Sequence, residues 1–255
     1  MNARNLNLWL AAGALLFGAM NGANAGEVNA AVAANFSAPA QQIVDLFQKQ
    51  SGHTVKLSFG SSGKFYSQIK QGAPFDVFLS ADEKNPKLLE QEGLAVANTR
   101  FVYALGKLVL WSARPGFVDD KGAVLSRGGY NKLAYADPKL APYGQAAEET
   151  LQTMGLWNAA VQGKLVTGES IAQTYQFAAT GNADMAFIAL SQVTKDGKVT
   201  EGSLWLVPSH MYSPIRQSAV LLGGAKDQAA AQAFLKFLRS EQAAAVIRSF
   251  GYDKP

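Results

Sequence analysis

The stretch Leu57-Ser58-Phe59-Gly60-Ser61-Ser62-Gly63-Lys64 constrains the chain more than any other. An extended run over 54–59 breaks into small hydroxyl and glycine residues and gives way at once to a helical pattern over 64–71. A strand that feeds through such a turn into a helix start aims unpaired backbone N–H groups, and the positive end of the helix dipole, at one spot. That spot suits an anion. It does not suit a nucleotide in the P-loop manner: counting back from Gly63-Lys64 puts Ser58 where that motif needs its first glycine and Phe65 where it needs the magnesium-binding hydroxyl. A tight strand-to-helix turn with no ligand is the plainer alternative.

The strand-to-helix rhythm recurs along the chain. Residues 28–34 are almost continuously apolar, as a strand covered on both faces must be. The run stops at Asn35-Phe36-Ser37, where Ser37 is the expected N-cap of a helix burying Ile43, Val44 and Phe47. Short strands over 76–79, 133–136, 165–166 and 185–190 alternate with helical patterns over 85–92, 145–154 and 170–179, and helices over 227–238 and 241–250 close the chain. Such alternation predicts an α/β fold with a parallel sheet and right-handed crossovers. Two longer extended runs, 101–113 and 215–222, interrupt it. One outgoing and one returning segment between two strand–helix sets predict two lobes with a cleft: lobe I over 26–107 and 216–255, lobe II over 108–215.

The first 25 residues carry one charge, Arg4, an apolar run over 8–20 and the small-residue site Ala23-Asn24-Ala25, and are read as a signal peptide cleaved near Ala25-Gly26. About 13 apolar residues are too few for a membrane span, which needs ~20. The 48% of hydrophobic residues against 16% charged is ample for real cores. The net charge of +4 is spread without basic blocks, so no nucleic-acid surface is expected. With no cysteine, disulfides, thiol catalysis and cysteine-ligated metal sites are excluded. The two histidines, His53 and His210, are far apart in sequence and offer no paired metal-ligand spacing.

In a two-lobed α/β chain the ligand sits outside the carboxyl ends of the strands, between the lobes. Five loops then converge: Ala34-Asn35-Phe36 and Gly60-Ser61-Ser62-Gly63 from the first lobe, and Ala141-Pro142-Tyr143-Gly144, Gly168-Glu169-Ser170-Ile171 and Ile188-Ala189-Leu190-Ser191 from the second. They offer mostly neutral donors: hydroxyls, a carboxamide and backbone N–H groups. A small, fully ionised oxyanion needs such donors and no buried Lys or Arg, and Lys64 is expected to point into solvent. Each residue also has an ordinary explanation, Ile171 as packing, Tyr143 as a surface aromatic, Asn35 as a turn former.

The residues Ala33-Ala34-Asn35, Phe59-Gly60-Ser61-Ser62 and Gly72-Ala73-Pro74-Phe75-Asp76-Val77-Phe78-Leu79-Ser80-Ala81-Asp82 resemble the periplasmic molybdate-binding proteins of ABC importers, and the similarity runs over the whole mature chain. The resemblance implies a type II periplasmic-binding-protein fold, two α/β lobes joined by two crossover strands. It implies capture of molybdate, and of tungstate, in the periplasm and delivery to a membrane ABC permease by a monomer, with no cofactor and no direct metal ligand. Carried over by position, it implies ligand contacts at Asn35, Ser61, Ser62 and Tyr143, and at Ile171 through its backbone N–H. Two positions depart from the family pattern: Ala189 stands where many relatives carry a ligand-binding tyrosine, a role that Tyr143 takes over, and Ala34 replaces a hydroxyl residue.

Two rival readings remain at this level. The same fold serves sulfate, phosphate or an iron carrier, although the paired tyrosines or carboxylates usual for iron are missing from these loops. A secreted serine hydrolase is the other: Gly168-Glu169-Ser170-Ile171-Ala172 approaches a nucleophile elbow without its closing glycine, and His210 has no evident acidic partner.

Overall fold

The structure, a computed structural model, describes residues 25–255. The signal peptide expected over 1–25 lies outside the described residues except for Ala25. The chain begins with β1 (Glu27–Ala33), passes through a 3-10 turn at Ala34–Phe36 into α1 (Ser37–Ser51), and continues with β2 (Thr54–Gly60), α2 (Ser62–Lys70), β3 (Val77–Ser80), α3 (Lys84–Gln91) and β4 (Phe101–Gly106). A second set follows: β5 (Leu108–Ser112), α4 (Val124–Arg127), β6 (Leu133–Ala136), α5 (Pro142–Thr153), α6 (Ala159–Gln162), β7 (Leu165–Gly168), α7 (Ile171–Ala179) and β8 (Met185–Ala189). A hairpin of β9 (Thr194–Lys195) and β10 (Lys198–Val199) leads to β11 (Ser203–Leu206), and the chain returns through β12 (Ile215–Leu221) to α8 (Gln228–Leu238) and α9 (Glu241–Ser249).

The strands form two five-stranded sheets, ordered β2-β1-β3-β12-β4 and β11-β5-β8-β6-β7, so the molecule has two α/β lobes. Each sheet is mixed rather than purely parallel, as the rhythm alone predicted. β1, β2 and β3 run parallel, as do β6, β7 and β8, but β12 runs antiparallel to β3 and β4, and β5 antiparallel to β8 and β11. The cause is the crossing: a strand entering a sheet from the other lobe arrives from the opposite end. The single extended run expected over 101–113 is accordingly divided at Lys107, with β4 in one sheet and β5 in the other.

The alternation of β1 sets the core of the first lobe. Val28, Ala30 and Val32 face α1 and α8, meeting Ile43, Phe47 and Phe234, while Ala31 faces the opposite side with Phe65, Phe78 and Leu89. In the second lobe Leu108 and Leu110 pack with Leu133, Leu151 and Phe187 on one face, and Val109 and Trp111 with Ala134 and Ile188 on the other. Burying one such large side chain contributes roughly 1.5–3 kcal/mol, and helices cover both faces of each sheet. Ser37 does not cap α1: its φ of −59° and ψ of −50° are already helical, because the 3-10 turn starts the coil one turn earlier. Gly144 is required by close approach, since a Cβ there would lie 2.1 Å from the Ala136 carbonyl oxygen.

Candidate functional site

Asn35, Ser61, Ser62, Tyr143 and Ile171 line one cavity, with Ala34 between them, at the carboxyl ends of strands from both sheets. The cavity is about 10 Å³. Metabolite sites run to several hundred Å³; this cavity is closed down to about the room one water-sized body takes, and its ligand selectivity is read from its lining rather than its volume.

Local structure explains why each residue arrives there. Ser61 is the N-cap of α2 in extended conformation and Ser62 its first helical residue; Pro142 and Tyr143 open α5; Ile171 opens α7. Three helices of 9, 12 and 9 residues thus begin at one place. The N–H groups of Ser62, Tyr143 and Ile171 sit where no acceptor exists within their own helices, and the three dipoles add positive potential. The Ser170 hydroxyl caps α7 by accepting from the Gln173 N–H at 3.3 Å, and Gln192 Nε2 donates to the Ile171 carbonyl at 3.0 Å, which fixes that helix start.

The lining among the described residues has no charged side chain. The Ser61 hydroxyl is buried without a hydrogen-bond partner, an exposed cost unless something in the cavity meets it. Ser62 Oγ accepts from the Ala81 N–H at 2.9 Å, so its own proton remains to be donated. Burial holds the Tyr143 phenol well above its ordinary pKa, with the Tyr252 phenol adding to the effect, so Tyr143 is a protonated donor at any physiological pH.

Asn35 behaves differently from the simple donor expected. Its carboxamide has two N–H protons, and both are committed: Nδ2 donates to Gln217 Oε1 at 2.8 Å and to Tyr252 OH at 2.9 Å. Tyr252 OH donates back to the Asn35 carbonyl at 2.8 Å, and Ser191 Oγ from the second lobe donates to the same carbonyl at 2.8 Å. The Asn35 side chain therefore organises the loop, and what it leaves for the cavity is backbone.

The sequence reading missed Gln217, Tyr103, Tyr252 and Leu140. Gln217 lies in the returning strand β12 and Tyr252 in the tail after α9, both far from any loop motif, and a glutamine in a strand of otherwise mostly apolar residues is the one signal that pointed to the first. Lys64 is solvent-exposed as expected, and its amino group pairs across the cleft with the exposed Glu169, while Gly63 N–H donates to the Leu140 carbonyl at 2.9 Å. Ala189 is fully buried in β8 opposite Leu108. Ser170 serves as a helix cap and His210 is exposed, with no hydrogen bond between them among the described residues.

Comparison with known proteins agrees with this geometry. The family model described as bacterial extracellular solute-binding protein matches residues 28–253. The molybdate-binding protein ModA of Azotobacter vinelandii is 56% identical over 230 residues, 90% of this chain and 91% of the relative. ModA of Rhodobacter capsulatus is 55% identical over 240 residues, 94% of this chain and 93% of the relative. The solved structure of the Azotobacter vinelandii periplasmic molybdate-binding protein superposes with a TM-score of 0.87 at 41% identity, covering 89% of this chain and 99% of that one. These relatives are solute-binding proteins rather than enzymes. With a model match over nearly its whole length and two such relatives, the chain belongs to the bacterial extracellular solute-binding proteins, in their molybdate-binding branch.

Proposed function

We propose that this protein captures molybdate, and tungstate with it, in the periplasm and delivers it to the membrane permease of an ABC importer. The observation that carries the reading is a small, uncharged cavity where three helix N-termini, two serine hydroxyls and a protonated phenol converge. Hydrogen bonds to a charged acceptor contribute roughly 1.5–3 kcal/mol each. About six of them offset lobe closure and still leave micromolar or tighter binding, near −8 kcal/mol.

In this reading the ligand contacts are the hydroxyls of Ser61, Ser62 and Tyr143 and the backbone N–H groups of Ser62, Ile171 and Asn35. The moving bodies are 26–107 with 216–255 and 108–215; the division of β4 from β5 at Lys107 supports this boundary. Residues 1–25 act as the leader removed before Gly26. The mature protein works as a monomer, since both halves of the cavity come from one chain. A set made of donors favours a fully deprotonated oxyanion over phosphate, whose remaining proton near neutral pH needs an acceptor.

Calorimetric titration with molybdate, tungstate, sulfate and phosphate at equal ionic strength tests the reading. Saturable binding of molybdate and tungstate, with sulfate weaker and phosphate absent, is expected. Sulfate binding more tightly than molybdate would assign the same fold to a different oxyanion.

A further inference from the structure

Gln217 is fully buried in β12, where the pairing of that strand with β4 shifts register between Gln217 and Ser218. A primary amide in such a place must have its polar atoms satisfied. Its Oε1 accepts from Asn35 Nδ2 at 2.8 Å and from Tyr103 OH at 3.1 Å, and its Nε2 donates to Tyr143 OH at 3.3 Å. Tyr103 OH also reaches the Ser80 carbonyl at 3.2 Å and could accept as well as donate, but turning the amide over would set its NH2 against Asn35 Nδ2, which can only donate, so the orientation is fixed by Asn35. The chain of polarity runs one way, from Asn35 and Tyr103 through Gln217 to the Tyr143 oxygen.

A phenol oxygen that is already accepting a hydrogen bond has its own proton to place elsewhere, and the acceptors in reach are the neighbouring Tyr252 phenol and an anion in the cavity. The far side is closed as well: a Cβ on Gly106 would lie 2.2 Å from the Tyr143 oxygen and 2.9 Å from Gln217 Nε2, so the hydroxyl rests directly on bare backbone. We infer that Gln217 is a positioning residue, a buried amide in the hinge strand that occupies an acceptor site of Tyr143 and thereby directs the phenol proton into the anion cavity. It never touches the ligand. The inference rests on the oxyanion reading above and adds a residue of the first lobe that controls a donor of the second.

The test is a double-mutant cycle read by calorimetry with molybdate, with thermal melts of the unliganded proteins alongside. Gln217→Met, close in volume but without the amide, should weaken binding about tenfold in the wild-type background and by less than about twofold in Tyr143→Phe, while lowering the melting temperature in both. An equal loss of affinity in both backgrounds, or no loss in the first, overturns the inference in favour of a structural role. Should Gln217→Met fail to fold, Gln217→Glu keeps the shape and the bonds from Asn35 and Tyr103 but accepts the Tyr143 proton and adds a negative charge. It should bind at least tenfold more weakly, and wild-type affinity in it overturns the inference. If the wild-type protein itself does not bind molybdate, the oxyanion reading falls and the inference falls with it.

Discussion

The backbone N–H of Gly63 donates to the carbonyl oxygen of Leu140 across the cleft at 2.9 Å, so the two lobes touch through main chain beside the cavity. Any Cβ on Gly63 would lie 3.1 Å from both Leu140 Cα and its carbonyl oxygen, tighter than an ordinary contact. Gly63→Ala should therefore hold the lobes slightly apart and weaken molybdate binding, while leaving the unliganded melting temperature close to wild type. Small-angle scattering with saturating molybdate, showing a larger radius for Gly63→Ala than for wild type, is the check.

Lys64 and Glu169 pair over the same cleft, but their side chains are 45% and 69% exposed. An exposed pair of this kind contributes little and is screened by salt. Lys64→Ala should change affinity by less than about threefold, ~0.7 kcal/mol, and less still at high salt. A hundredfold loss by calorimetry would mean that the cation belongs to the ligand site.

On the proposed site, Tyr143→Phe keeps the ring, which is fully buried, and deletes one charge-assisted hydrogen bond to the anion together with the bond accepted from Gln217 Nε2. A loss of roughly 1.5–3 kcal/mol, about ten- to a hundredfold in affinity, is expected. Ser62→Ala should cost a similar amount from the opposite lobe. Asn35→Ala should cost affinity and stability together, because it removes the donor of two buried acceptors. An unaffected Tyr143→Phe beside a crippled Ser62→Ala would place the anion on the first lobe alone.

Ile171 separates backbone from side chain. Ile171→Ala retains the N–H and should bind within about threefold of wild type. Ile171→Pro removes that N–H at the first helical position, where proline is tolerated, and should lose about ten- to a hundredfold. Equal affinities for the two variants, measured by calorimetry on proteins with matching melts, would exclude the backbone contact.

Three buried phenols give the protein an alkaline limit. Burial raises Tyr103 and Tyr143 well above the ordinary value of 10.0 and Tyr252 to about 12. A group whose pKa is higher in the folded protein contributes stability that is complete below the unfolded value and is lost as pH rises through the folded one. Melting temperature should thus be insensitive to these phenols below pH 10.0 and fall between there and about pH 12. Tyr252→Phe should flatten part of that fall; an unchanged profile would show that its phenol does not titrate there.

Much of this was legible in local sequence. The Gly60-Ser61-Ser62-Gly63 turn, the Pro142-Tyr143 helix start and the Ser170 cap before Ile171 are short-range signals, and each places its residue at a helix N-terminus whatever the rest of the chain does. What escaped depends on residues far apart. The hydrogen bond from Asn35 Nδ2 to Tyr252 OH spans 217 positions, so nothing near Asn35 reveals that its carboxamide is spent. The antiparallel placement of β12 likewise follows from the return between lobes and leaves no mark on its own residues.

The strand order also fixes when each lobe can be finished. In the first sheet β4 pairs with β12, apart from a bridge between Leu105 and Asp253 near the C-terminus, and β12 also fills the place beside β3. In a chain growing from its N-terminus the edges of β3 and β4 that β12 will fill therefore stay unpaired until Ile215 and its successors appear. The second sheet draws every strand from one continuous stretch, β5 to β11. The later half of the molecule can therefore be complete while the earlier half waits, its apolar Val77–Ser80 edge open to the wrong partner. A chain stopped just before Ile215 would carry one finished lobe and one that no amount of ligand can close.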